Sequence, residues 1–188
     1  MEQLRKYFER YTKISDKDWD IFCSRLFRKE VPKKRLLLAA GQTENYLAFM
    51  EKGIIRYFIP KEDSDLTFEF AFENSFVNAY DSFLKRTPSI YSIETLSAAI
   101  LWRINYNDLQ FIYANTEIGN TIGRLAAEEL YLKKSKREKS LLNETAEQRY
   151  LKLLTEQPHL IKEIPLRFIA SYIGITPQAL SRIRRRIC

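Results

Sequence analysis

The chain has 188 residues, 45% hydrophobic and 29% charged, with a formal net charge of +7 and a pI near 9.3. This is the balance of a folded globular chain of one large domain or two smaller ones, and its basic excess favours a polyanionic partner. One histidine (His159), two cysteines (Cys23 and Cys188) and five scattered glycines exclude a His-rich metal site, a bis-histidine haem, a four-cysteine iron–sulfur cluster and a Gly-rich phosphate loop. The chain shows no apolar run near 18 residues and no signal-peptide core, and two cysteines make no disulfide framework, so a reducing cytoplasm is expected.

Residues 1–30 read as helical. Leu4, Tyr7, Phe8 and Tyr11 recur at three-and-four spacing, Ser15 with Asp18 resembles a capping box, and Trp19, Phe22, Cys23, Leu26 and Phe27 form a second apolar stripe. From Val31 to Ile104 the texture is that of short strands. Glycines at 41 and 53 mark turns, KEDSD is a charged turn, and Leu66, Phe68, Phe70 and Phe72 alternate with Thr67, Glu69, Ala71 and Glu73. SFVNAYDSFLKRT is ambiguous and can hold a short helix; SIYSIETLSAAILWRIN gives two more strands. Many short strands without long intervening helices predict a jelly-roll-like β-roll.

Helical texture returns at Tyr106, with Asn107 or Asp108 as cap of a short helix. A long helix is expected over about residues 116–139, with Ile118, Ile122, Leu125 and Leu132 on one seam and Glu129 completing the spacing. Its basic end, KKSKREK, reads equally as a solvated helix terminus or as a phosphate contact. Asn143 or Thr145 opens a further helix with Tyr150, Leu151 and Leu154 inward, stopping before Pro158, and HLIKEIP reads as an extended link.

The last stretch, PLRFIASYIGITPQALSRIRRRI, has the pattern of a helix-turn-helix. Counting from Leu166, Ala170 falls where two helices touch and Gly174 falls in the turn, where a left-handed backbone favours glycine. Ile169, Ile173, Ile175, Leu180 and Ile183 fill the apolar seam, and Thr176 followed by Pro177 is a natural helix start. Gln178, Ser181, Arg182 and Arg185 share the outer face; Arg can bond guanine bidentately, Gln adenine, and Ser a base edge or phosphate. Arg184 and Arg186 flank that face and are expected at phosphates. Residues 145–188 carry eight Lys and Arg against three Asp and Glu, so most of the net charge lies here.

A β-rich first half, a long helix and a helix-turn-helix, in that order, resemble the Crp/Fnr family of bacterial transcription regulators over nearly the whole chain. KKRLLLAAGQ and YLAFMEKGIIRYF resemble the opening strands of the family's cyclic-nucleotide-binding-like roll, and TAEQRYLKLL with IPLRFIASYIGITPQALSRIRR resembles its DNA-binding end. The resemblance implies an α+β chain: an N-terminal sensor β-roll with a long dimerisation helix over residues 1–140, then a helix-turn-helix domain over 141–188 with a truncated wing. It places Gln178, Ser181 and Arg182 at base-reading positions, with Gln178 where the family usually has Glu, so the preferred operator is expected to differ. It implies a homodimer through Ile118, Ile122 and Leu125, a palindromic double-stranded operator and contact with RNA polymerase.

The family's cyclic-nucleotide sensors use a Gly-Glu pair followed, about ten residues on, by Arg, then Ser or Thr, then Ala. Here Arg86-Thr87 is followed by Pro88, the Gly-Glu pair is missing, and the nearest stretch runs through Tyr80 and Asp81. Tyr80, Asp81, Arg86 and Thr87 are thus the candidate effector-pocket residues, cyclic AMP binding is expected to be weak or absent, and the effector is unassigned. No metal site and no enzymatic activity are expected. The competing reading is a small-molecule-binding module whose helix-turn-helix is a protein contact; a cupin-type enzyme would need a cluster of histidine ligands that the chain lacks.

Overall fold

The computed structural model describes residues 1–187. In chain order the elements are α1 (Glu2–Glu9), α2 (Asp16–Cys23), β1 (Phe27–Val31), β2 (Leu36–Leu38), β3 (Tyr46–Lys52), β4 (Ile55–Ile59), β5 (Leu66–Ala71), β6 (Ser75–Val77), α3 (Tyr80–Lys85), β7 (Ser92–Thr95), β8 (Ala99–Asn105), α4 (Tyr106–Asn115), α5 (Gly119–Asn143), α6 (Ala146–Glu156), α7 (Pro158–Glu163), α8 (Leu166–Tyr172) and α9 (Pro177–Ile187). This is an α+β fold. The strands form two four-stranded sheets, ordered β1-β8-β3-β6 and β2-β7-β4-β5. Sequence neighbours are mostly not sheet neighbours, as in a jelly-roll-like β-roll.

The chain divides into two compact units: residues 1–57 with 70–129, and residues 58–69 with 130 onward. In the first, β3 is flanked by β8 and β6, with Phe49 opposite both Trp102 and Phe76. The register shifts between Met50 and Lys52, next to Gly53. Gly53 has φ +127°, and a Cβ there would lie 2.7 Å from that of Ala99, so both conformation and space require glycine. Leu4, Phe8, Phe22, Phe49, Phe83, Ile104, Leu109 and Ile112 form one buried cluster that joins α1, α2, α3 and α4 to the sheet.

Several local expectations are corrected. The second N-terminal helix stops at Cys23, and Phe27 opens a strand pairing with β8 rather than extending the apolar stripe, because β8 offers a ladder from Phe27–Arg103 to Val31–Ala99. Only half of the expected capping box forms. Ser15 Oγ accepts from Asp18 N at 3.1 Å, but the buried Asp18 carboxylate accepts from Glu117 N (3.1 Å) and Ile118 N (3.3 Å), satisfying amides at the entrance to α5. The cap of α4 is Asn105, whose Oδ1 accepts from Asp108 N at 2.8 Å. The alternation in β5 is imperfect: Thr67 is buried and Leu66 is exposed.

In the second unit, Thr145 and Gln148 make a full capping box at the start of α6. The expected extended link after it is instead α7: Pro158 is its first residue, not merely the end of the helix before, and Leu160 and Ile164 beside it are buried. The unit's buried apolar residues are Tyr150, Leu153, Leu160, Ile164, Ile169, Ala170, Ile173, Leu180 and Ile183. Among the described residues no helix is long and apolar enough to cross a membrane.

Candidate nucleic-acid interface

Helices α8 and α9 form the expected two-helix motif, and its local chemistry explains why. Ala170 is fully buried, so a larger side chain would force the helices apart. After α8 the chain turns at Gly174, φ +81°, with Gly174 N donating to Ser171 O and Ile175 N to Ala170 O, both at 3.0 Å. This satisfies the last carbonyls of α8 through a left-handed residue. Thr176 Oγ1 then accepts from Ala179 N at 3.2 Å, capping α9 with Pro177 as its first residue.

Leu180 and Ile183 of α9 are buried, whereas Thr176, Gln178, Ser181, Arg182, Arg185 and Arg186 are exposed and Arg184 is half-buried. Arg186 pairs with Glu147 at 2.8 Å. Among the described residues, Arg182, Arg184 and Arg185 make no ion pair, so α9 presents cations, an amide and a hydroxyl that the fold leaves unspent.

The basic run before it behaves otherwise. Lys133 pairs with Glu69 at 3.3 Å and Lys136 with Glu156 at 3.1 Å. The Arg137 guanidinium lies over the Tyr172 ring at 3.9 Å and donates to Tyr172 O; burial lowers its pKa, and the same burial pushes the Tyr172 phenol up to about 12. Arg149 Nε donates to Ile173 O at 2.9 Å, and its Nη1 donates to Glu144 O. Two cations thus hold the carbonyl end of α8, where the helix dipole favours them. The sequence reading missed both arginines. Nothing local distinguishes Arg137 from its neighbours in a basic run, or marks Arg149 on an amphipathic helix.

The candidate effector residues are arranged differently. Tyr80 is half-buried and packs on the first unit's core, with its phenol pKa raised by burial. Asp81 accepts from Tyr91 Oη at 2.8 Å, an interaction that, after burial, helps to raise the Tyr91 phenol pKa. Arg86 ends α3 in a left-handed conformation, φ +57°. Its guanidinium donates to Glu44 O (2.7 Å) and Asn45 Oδ1 (2.6 Å) and lies 4.8 Å from the Tyr106 ring centre. Thr87 contributes its carbonyl, accepting from Ser82 Oγ at 2.5 Å. Glu44 is buried, and burial raises its pKa even though its carboxylate accepts from Tyr46 N (2.9 Å) and Ala79 N (3.3 Å). Among the described residues no group of three or more His, Cys, Asp or Glu is placed to hold a metal ion.

Ile118, just before α5, and Ile122 on it pack partly buried against their own unit's core, and Leu125 is half-buried. Glu129 accepts from Tyr7 Oη at 2.5 Å and Tyr11 Oη at 2.7 Å, so it faces α1 of the same chain. The exposed apolar residues of the helix lie farther along, at Tyr131 (71%), Leu132 (67%), Leu141 (46%) and Leu142 (76%).

No protein-family model matches the chain, and no curated protein matches it in sequence. Solved structures do. A transcriptional regulator of the Crp/Fnr family from Eubacterium rectale superposes with a TM-score of 0.74 at 15% identity, covering 96% of this chain and 87% of that one. FixK2 from Bradyrhizobium japonicum gives 0.69 at 14% identity, over 86% and 84% of the two chains. The c-di-GMP-responsive global regulator CLP of Xanthomonas campestris gives 0.66 at 15% identity, over 92% and 91%. The chain therefore has the Crp/Fnr fold, a cyclic-nucleotide-binding-type β-roll and a helix-turn-helix in one polypeptide.

Proposed function

We propose that this protein is a dimeric, sequence-specific DNA-binding transcription regulator, with a sensor over residues 1–140 and a reader over 141–188. The observation that carries the proposal is the outer face of α9, where Gln178, Ser181, Arg182 and Arg185 are exposed over a buried apolar seam. In the major groove, Arg182 and Arg185 donate bidentately to guanine, Gln178 meets adenine, and Ser181 bonds a base edge or a phosphate. Thr176, at the helix start, and Arg184 and Arg186, at its end, contact phosphates and fix the register.

Dimerisation through α5 sets two such helices about one DNA turn apart on a palindrome. The apolar residues available for that contact are the exposed Tyr131, Leu132, Leu141 and Leu142, with the half-buried Ile118, Ile122 and Leu125 as the seam expected from the sequence. The Arg86 guanidinium is already bonded at Glu44 and Asn45, which supports a sensor that does not hold cyclic AMP. The Crp/Fnr resemblance is the support for RNA polymerase as a partner and for the cytoplasm as the location.

The test is selection from a randomised palindromic DNA library, followed by anisotropy titration at several salt concentrations with and without cyclic AMP, and sedimentation of the complex. A two-fold site, a steep salt slope and two chains per site are expected. Absence of a selected sequence, with weak binding even at low salt, would replace this reading with a small-molecule module that uses the helix-turn-helix as a protein contact.

A further inference from the structure

The turn of the helix-turn-helix is held at three consecutive residues by three different segments of its unit. Tyr172 O is held by Arg137 of α5 and Ile173 O by Arg149 of α6. Ser171 is held by the hairpin that links β4 to β5: its Oγ accepts from Thr67 N at 2.8 Å and donates to Asp65 O at 3.0 Å. One hydroxyl therefore joins two main-chain groups where the hairpin enters β5, and Thr67 beside it is buried. Ser171 lies on α8 and turns away from DNA in the proposed complex, while the reading residues of α9 remain exposed. The contact leaves the reading face uncovered, so it supports that face rather than masking it.

We propose that Ser171 is a positioning residue for DNA reading: its two hydrogen bonds to the β4–β5 hairpin fix the turn from which α9 enters the groove. The hairpin residues Asp65 and Thr67 belong to the same compact unit as α8 and α9, so this anchor is internal to that unit. The inference rests on the DNA-reading function proposed above.

The experiment compares wild type, Ser171→Ala and Ser171→Thr on the selected operator, by anisotropy at several salt concentrations and by amide hydrogen exchange of residues 60–69 in the free protein. Ser171→Ala is expected to speed exchange in the hairpin and to weaken operator binding by roughly 10-fold, the order expected for two lost hydrogen bonds. The slope of log Kd against log salt is expected to stay at the wild-type value, because no phosphate contact is removed; losing one would lower it by about 1. Ser171→Thr, which retains a hydroxyl, is expected to recover most of both effects.

Wild-type hairpin exchange and wild-type affinity in Ser171→Ala would overturn the proposal, as would weaker binding with a reduced salt slope. If wild type itself selects no operator, the DNA-reading function fails and the positioning role fails with it. If wild type binds and Ser171→Ala is silent, only the positioning role is lost.

Discussion

Two arginine-bearing segments, 177–187 and 78–91, make opposite use of the same side chain. On α9, Arg182 and Arg185 extend over a buried seam and make no ion pair among the described residues. At the end of α3, Arg86 is folded back on Glu44 O, Asn45 Oδ1 and the Tyr106 ring. The difference teaches where a ligand can gain most. A guanidinium without a protein partner exchanges only water for phosphate or base, whereas one already bonded must first give up its partners. All seven proposed DNA contacts lie on or at α9, with Arg186 alone among its arginines in an ion pair among the described residues, while the four candidate effector residues are largely occupied within the fold.

Arg182→Ala tests the first half of this contrast and carries the largest expected effect. Operator affinity should fall by about 1–3 kcal/mol per half-site contact, while thermal stability stays within about 0.5 kcal/mol, as for an exposed residue without partners. Arg86→Ala should do the reverse, lowering unfolding free energy by about 1–2 kcal/mol through two lost hydrogen bonds and leaving operator Kd unchanged in the absence of any effector. If either variant behaves as the other should, the contrast between the two segments collapses.

Two smaller effects sharpen it. Asp18 is another polar group spent inside the fold, so Asp18→Ala should cost about 1 kcal/mol in chemical denaturation, the usual price of a lost helix cap, and Asp18→Asn should recover part of that. Glu44 carries the smallest expected effect, visible as pH dependence. Burial raises its folded pKa above the unfolded value, so the folded state binds its proton more tightly. Its contribution is therefore most favourable below the ordinary glutamate range and declines as pH rises through the raised folded pKa. Glu44→Gln has no proton to exchange, so the wild-type-minus-variant stability difference should slope downward with rising pH across that window. A flat difference would show that the carboxylate is not titrating there.

The helix-turn-helix was legible because its constraints are local. A small residue at 170, a glycine at 174 and apolar residues at 169, 173, 180 and 183 each answer a requirement set within twenty residues of chain. The β-roll was legible as a class from its short apolar runs and turn glycines. Strand order was not, because β1 lies beside β8 and β2 beside β7, pairings set by closure of the two sheets rather than by neighbouring residues. Helix α7 was missed because six residues between two prolines carry too little periodicity to separate a helical turn from an extended link. The anchors of the turn were missed for a similar reason: Arg137 meets Tyr172 across thirty-five positions, and Ser171 meets Thr67 across one hundred and four.

Those anchors bear on how the reader could be transplanted. Arg137 and Arg149 grip main-chain oxygens of residues 172 and 173, and Arg137 also lies over the Tyr172 ring, so their hold depends on Tyr172 but on none of the reading side chains of α9. Positions 178, 181 and 182 could then be rewritten for a new operator without disturbing the grip. A graft cut at residue 165 would leave both arginines behind. The natural cassette for a chimera begins before Arg137, and a donor hairpin with a matching serine partner would have to travel with it.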